Sequence, residues 1–160
     1  MPGLAIKNST MGTEGFTAPS AEWRFYTVKK IDSISVILVD GSVTAGFPSP
    51  ADDYLEARID LKRELVRNPD ATFVVRVQGD SMTGDGISDG DVLVVDRSLK
   101  YRNGSIAVCC LNNAFTVKKL EIKGPRIRLV ASNPLYPAID IQENDELLIW
   151  GVVTYIIKKT

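Results

Sequence analysis

From Thr72 onward the chain alternates short apolar runs with polar punctuation, and the runs are too short for packed helices. β-branched and aromatic residues dominate 72–78, 92–96, 105–111, 114–122, 126–131 and 146–157, which predicts six strands. Gly151 interrupts the last of them and predicts a bulge. Asn112-Asn113 reads as a tight hairpin and Lys123-Gly124-Pro125 as the next corner. Two more β-prone runs lie upstream, at 23–28 and 35–39, the second closing on the turn signal Asp40-Gly41. Between the two groups a helix is expected: Ser49 can cap it and Pro50 suits its first turn. Asp52 and Asp53 complement its dipole, Tyr54, Leu55, Ile59, Leu61, Leu65 and Val66 share one side of the wheel, and Asn68-Pro69 ends the run. Residues 1–20, rich in Gly, Ser, Thr and Pro, read as a flexible arm, and Gly46-Phe47-Pro48-Ser49-Pro50 as a linker. The fold class that follows is mainly β: a compact, strongly bent antiparallel sheet or partial barrel with one short helix and an extended N-terminal arm.

Composition narrows the chemistry. At 160 residues and 44% hydrophobic, the chain can bury a core of its own. Its 19 basic and 20 acidic side chains leave a net charge of −1, so no overall field draws it to nucleic acid or anionic lipid. There is no histidine, which removes every Ser-His-Asp and Cys-His nucleophile-base pair and every His-containing metal site. The two cysteines, Cys109 and Cys110, are adjacent within an apolar run and read as buried thiols of a reducing compartment. No apolar run reaches the length of a membrane span, and the start lacks the pattern of a signal peptide. A cytoplasmic protein without metal or cofactor is expected.

The segment 78–91 sets four Gly and four Asp around Ser81 just after a strand. It is not the Gly-x-Ser-x-Gly elbow, since Thr83 holds the last Gly position and no helix follows. Nor does its Asp spacing match an EF-hand. A turn-rich loop in which Asp and Gly only shape the backbone is the plain alternative. If Ser81 is a nucleophile, the missing histidine leaves a lysine as base, which must be neutral and therefore desolvated. Lys118 and Lys119 are the candidates. Alternation groups Lys118 with Thr116, Leu120 and Ile122, and Lys119 with Phe115, Val117 and Glu121, so the pattern leans only weakly toward Lys118.

Several short motifs occur in one order: Gly46-Phe47-Pro48-Ser49-Pro50, Asp53-Tyr54, Arg58-Ile59-Asp60-Leu61, Gly79-Asp80-Ser81-Met82, Gly86-Ile87-Ser88-Asp89-Gly90-Asp91 and Phe115-Thr116-Val117-Lys118-Lys119-Leu120. From about Ala45 to Lys158 the chain resembles the LexA/UmuD family of self-cleaving Ser-Lys peptidases, in its UmuD branch. That resemblance implies Ser81 as nucleophile, Lys118 as general base, and the backbone N–H groups of Asp80 and Ser81 as oxyanion hole. It implies self-cleavage between Ala45 and Gly46, with 1–45 as the arm removed and 46–160 as a β domain that dimerises. Ala45 stands where this branch often has Cys, but it matches the Ala-Gly of the repressor relatives. The arm is longer than is usual for the branch. The implied partners are a second copy of the chain, the RecA filament on single-stranded DNA and a UmuC-like error-prone DNA polymerase, with no direct duplex binding and no membrane. A LexA-like repressor is the alternative, although the first 45 residues show no helix-turn-helix pattern. A signal peptidase with the same dyad would need an anchor, and a non-catalytic module would keep the fold alone.

Overall fold

The computed structural model describes residues 25–27, 35–40 and 55–160, with side chains from Asp60 onward. In chain order the strands are β1 (Phe25–Thr27), β2 (Ser35–Asp40), β3 (Leu55–Asp60), β4 (Thr72–Arg76), β5 (Val92–Asp96) and β6 (Ile106–Leu111), followed by β7 (Ala114–Lys123), β8 (Arg126–Val130), β9 (Ile139–Asp140) and β10 (Leu147–Ile157). One five-residue helix, α1 (Leu61–Leu65), follows β3 directly. Eight strands form one antiparallel sheet in the order β1-β4-β5-β10-β6-β7-β8-β9, and β2 pairs with β3 in a second.

All six strands expected after Thr72 form, with ends within two residues of the expectation, as do the two upstream runs. Asn112 and Asn113, with φ of 48° and 66°, make the two-residue turn between β6 and β7, a conformation that Asn tolerates better than most residues. The helix expected over 50–66 is a correction. Residues 55–60 are instead a strand, register-paired with β2 from Ser35↔Asp60 to Asp40↔Leu55, and among the described residues of the stretch only 61–65 are helical. The apolar spacing misled because Leu55 and Ile59 stand four apart, which satisfies a period of 3.6 and a period of 2 equally. Leu55-Glu56-Ala57-Arg58-Ile59-Asp60 alternates strictly, and a hydrogen-bonded partner strand decides between the periods. The cap is Asp60, whose side chain accepts from the Lys62 N–H at 2.9 Å. Ser49, Pro50, the linker and the turn at Gly41 lie outside the described residues.

The central strands bury both faces. On one, Phe73, Val75, Leu93, Val95, Val108, Cys110, Phe115 and Val117 pack together, with Trp150 edge-on to Phe73 and Phe115 at 5.0 and 5.3 Å. On the other, Ala107, Cys109, Leu120, Ile127, Leu129 and Leu147 form a second cluster. β10 is the axis of the sheet, between β5 and β6, and its register slips twice, between Ile149 and Gly151 and between Val153 and Tyr155. Such bulges let one strand bend to serve both halves of a curved sheet. The two ends, β1 and β9, do not pair with each other, so the sheet stays open.

The bulge at Gly151 requires a residue without a side chain, because a Cβ there would lie 2.7 Å from Val95 Cγ1 and 3.2 Å from the Asp96 carbonyl oxygen. Gly151→Ala is therefore expected to lower the unfolding free energy by about 1–3 kcal/mol, as overpacked core sites do. Urea denaturation checks this, and an unchanged midpoint would contradict it.

A serine and a buried lysine at the end of β8

The loop between β4 and β5 is held at both ends. The Val77 N–H donates to the Asp91 carbonyl at 2.8 Å and the Gly90 N–H to the Val77 carbonyl at 3.0 Å, closing its neck. Met82 and Ile87 plug into the core at 2% and 0% exposure, and the Ile87 N–H bonds the Met82 carbonyl at 3.2 Å. Two of the four aspartates do the turn work that the plain reading assigned to them: Asp89 accepts from the Gly79 N–H and Asp91 from the Ser88 N–H, both at 2.7 Å. Asp91, also paired with Lys158 at 2.6 Å, is held below the usual carboxylate range chiefly by the Lys158 hydrogen bond. Fixed in this way, the loop presents Ser81 over β7.

The partner of Ser81 follows from strand lengths. Leu120 exchanges backbone hydrogen bonds with Gly104 and Ser105, on the β6 side, at 2.7 and 2.8 Å. Backbone groups alternate sides along a strand, so those of Lys119 and Val117 point toward β8. β8 pairs with β7 only as far as Val130↔Lys119. The Val117 carbonyl therefore lies just past the end of β8, and the Lys118 side chain curls round the strand edge to use it. Lys118 Nζ has three oxygens around it: Val117 O at 3.0 Å, Thr116 Oγ1 at 2.9 Å and Ser81 Oγ at 3.0 Å.

Lys118 is only 8% exposed, with Leu120 and Ile122 on its face as the alternation implied. Among the described residues no carboxylate pairs with it. Burial therefore pushes its pKa below the ordinary lysine value. The neighbouring Cys109 thiol acts in the opposite direction when ionised, but burial pushes that thiol up to about 12, so at neutral pH it carries no charge. A neutral amine has two N–H donors and one lone pair. Val117 O and Thr116 Oγ1 accept the two N–H groups, which leaves the lone pair for the Ser81 hydroxyl proton. The arrangement can take a proton from Ser81 without leaving any of these groups unpaired.

Lys119 occupies the other face, with Phe115 and Val117, and is not idle there. Its Nζ lies 2.6 Å from Asp85 Oδ1, tying the turn after Ser81 to β7. Behind the loop runs the segment after β8. The Asn133 N–H donates to Ser81 O and Asn133 Nδ2 to Asp80 O, each at 3.0 Å, while the Tyr136 hydroxyl donates to Asp80 Oδ1 at 2.5 Å. Ser132 Oγ accepts from the Asp85 N–H at 3.0 Å, and the chain passes so close that a Cβ on Gly84 would collide with the Ser132 carbonyl. The N–H groups of Asp80 and Ser81 have no acceptor among the described residues. Sequence reasoning singled out Ser81, Lys118 and Asp80 but missed Asn133 and Tyr136, which lie more than 50 positions from the Gly-Asp-Ser-Met motif and carry no periodic signal. Ala45 and Gly46 lie outside the described residues. Among those residues no three His, Cys, Asp or Glu side chains gather as metal ligands, and no helix is long and apolar enough to cross a membrane.

Residues 37–154 match the family described as peptidase S24-like. The chain belongs to that family. It is 48% identical over 114 residues to protein MucA of Salmonella typhimurium, covering 71% of this chain and 77% of the relative. To protein SamA of S. typhimurium strain LT2 it is 48% identical over 116 residues, covering 72% and 80%. LexA repressor 1 of Xanthomonas campestris pv. campestris is 37% identical over 129 residues, covering 80% of this chain but 63% of the repressor. Membership of the LexA/UmuD group, expected from the motifs, is borne out, and the peptidase S24-like fold is the mainly β architecture described above.

A lysine whose pKa falls on folding penalises the folded state fully below its folded pKa, and the penalty is relieved as pH rises toward the unfolded value of ~10.4. When unfolding free energies of the wild type and Lys118→Met are compared by urea denaturation from neutral to alkaline pH, their difference should therefore shift in favour of the wild type as pH rises. A difference independent of pH would show that burial does not depress the Lys118 pKa.

Proposed function

We propose that the chain is an SOS-response protein of the UmuD type, whose Ser81-Lys118 dyad cuts its own backbone between Ala45 and Gly46. The observation that supports this above all is the 3.0 Å contact between Ser81 Oγ and a buried lysine amine with no carboxylate partner among the described residues. Ser81 Oγ attacks the Ala45 carbonyl carbon as its proton passes to neutral Lys118 Nζ. The tetrahedral oxyanion is received by the N–H groups of Asp80 and Ser81. As the Ala45–Gly46 bond breaks, Lys118 returns the proton to the leaving Gly46 amine. Water, deprotonated by Lys118, then hydrolyses the ester on Ser81. No cofactor enters.

Ala45 and Gly46 fall between β2 and β3, which are paired neighbours. The cut divides an arm, 1–45, from a β domain, 46–160, and leaves β1 and β2 on the arm and β3 on the domain. Strand pairing then still joins the arm to the domain, including the three register pairs of β1 with β4. The RecA filament on single-stranded DNA promotes the cut by favouring the conformation in which the segment reaches Ser81, a population shift that adds no catalytic group. The processed form, a homodimer in the cytoplasm, joins a UmuC-like error-prone DNA polymerase. With a net charge of −1 the chain should not bind duplex DNA directly, whereas submicromolar duplex affinity in gel shifts near physiological salt would favour the LexA-like repressor reading.

Mass spectrometry of the purified chain, with and without RecA, an ATP analogue and single-stranded DNA, is expected to yield fragments 1–45 and 46–160. A different new N-terminus would refute the site. Unassisted cleavage should be slow at neutral pH, rise with pH as Lys118 loses its proton, and level off above its depressed pKa. Ser81→Ala, Lys118→Ala and Lys118→Arg should each abolish it, the last because a guanidinium stays protonated. Lys119→Ala should still cut, since it loosens the Asp85 turn without touching the proton path. Full cleavage by Lys118→Ala would exclude the dyad. Ala45→Trp should block cleavage, because the site admits a small side chain.

A further inference from the structure

Asn133 holds both peptide planes that flank the Ser81 α-carbon. Its side-chain Nδ2 donates to the Asp80 carbonyl at 3.0 Å, and its backbone N–H donates to the Ser81 carbonyl at 3.0 Å. In a trans peptide the C=O and the following N–H point in opposite directions. Fixing the Asp80 carbonyl therefore fixes the Ser81 N–H, and fixing the Ser81 carbonyl sets the other torsion at the same residue. Between them the two bonds determine where Oγ starts and where the Ser81 N–H aims. The Thr83 N–H, at 3.3 Å, also reaches the Asp80 carbonyl, but it belongs to the same loop and cannot anchor the loop to the sheet.

Asn133 is itself locked. Its Oδ1 accepts from the Leu135 N–H and its carbonyl from the Tyr136 N–H, both at 3.0 Å, so the side-chain oxygen and nitrogen have unambiguous roles. The turn thus formed sends Tyr136 back to Asp80, where the hydroxyl holds Oδ1 at 2.5 Å. This fixes the direction of the one carboxylate adjacent to the nucleophile, whose charge would oppose a developing oxyanion if it swung into the hole.

We propose that Asn133 is a positioning residue of the self-cleavage reaction, orienting the Asp80–Ser81 peptide so that the Ser81 N–H serves the oxyanion, with Tyr136 holding the Asp80 carboxylate aside. The inference rests on the dyad reading given above and assigns a role to a residue outside the dyad. Among the described residues Asn133 makes no hydrogen bond to Lys118, and it acts through the backbone on either side of Ser81.

Two variants separate the donor from the turn. Asn133→Asp keeps an oxygen for the Leu135 N–H but loses the donor to Asp80 and adds a negative charge, whereas Asn133→Ala loses both oxygen and donor and adds no charge. Alkaline cleavage rates and Ser81 labelling by a fluorophosphonate, whose adduct carries an oxyanion-like oxygen, should fall together in both variants by a factor on the order of 10 to 100, below the loss known for deleting an oxyanion donor outright. The pH midpoint of cleavage, read in Asn133→Ala where no charge is added, should stay where the wild type has it, because Lys118 keeps its three partners. Thermal melting should confirm that both variants are folded. Wild-type rates in Asn133→Asp would overturn the proposal, as would a loss confined to Asn133→Ala, which would assign the effect to the turn. A shifted midpoint or a collapsed melting temperature would reduce Asn133 to a structural residue. If the wild type itself fails to cut at any pH, the dyad reading fails, and that result differs from a wild type that cuts while Asn133→Asp cuts equally fast.

Discussion

The site depends on a mismatch of strand lengths. β7 runs for ten residues and β8 for five, and β8 covers only the second half of β7. Past Val130 the β7 edge has backbone groups with no strand to pair them among the described residues. A carbonyl left in that position must find a donor, since an unpaired buried polar group costs about 1–3 kcal/mol. The Lys118 amine supplies it at Val117, and in doing so is drawn out of the apolar face on which its α-carbon sits and round to the strand edge. The loop carrying Ser81 packs at the same place, sealed by Met82 and Ile87. One longer turn of pairing by β8 would satisfy Val117 and leave the amine without its place.

The same arrangement explains how lysine can serve without histidine. An ammonium at this buried strand edge has hydrogen-bonding oxygens around it but no counter-charge among the described residues, so desolvation favours the neutral form. Cys109, fully buried, cannot compete as a nucleophile, because desolvation keeps it a thiol up to about 12. A low-dielectric face thus makes one group a better base and silences the other, since the charged form is the cation in one case and the anion in the other.

Much of this was legible in the sequence because it is local. Strand periodicity, the Asn112-Asn113 turn and the Gly151 bulge are written in neighbours two residues apart. Ser81 and the lysine pair stood out by their type and by the absence of histidine. Residues 55–60 did not resolve, because their apolar spacing fits two periods and the partner that chooses between them, β2, pairs across a 14-residue gap. Lys119 could be placed on the correct face, but its bond to Asp85 depends on how the loop folds over β7. Asn133 and Tyr136 were invisible for a similar reason. Asn133 bonds two backbone carbonyls and Tyr136 the Asp80 carboxylate, all more than 50 positions away, and no side-chain pattern records how the loop brings them within reach.

A module that kept this fold for assembly alone would gain nothing from Lys118. Stability would favour an apolar side chain among Leu120, Ile122 and Cys109, with the Val117 carbonyl paired by a longer β8. What stands there instead is a long, flexible side chain that loses rotamer freedom on burial and has its charged form disfavoured. The loop likewise leaves the N–H groups of Asp80 and Ser81 without acceptors among the described residues while bonding the carbonyls on either side. Taken singly, the buried lysine lowers stability. Together these features leave a hydroxyl 3.0 Å from a desolvated amine with two backbone donors on the same loop, the groups that the proposed self-cleavage would use.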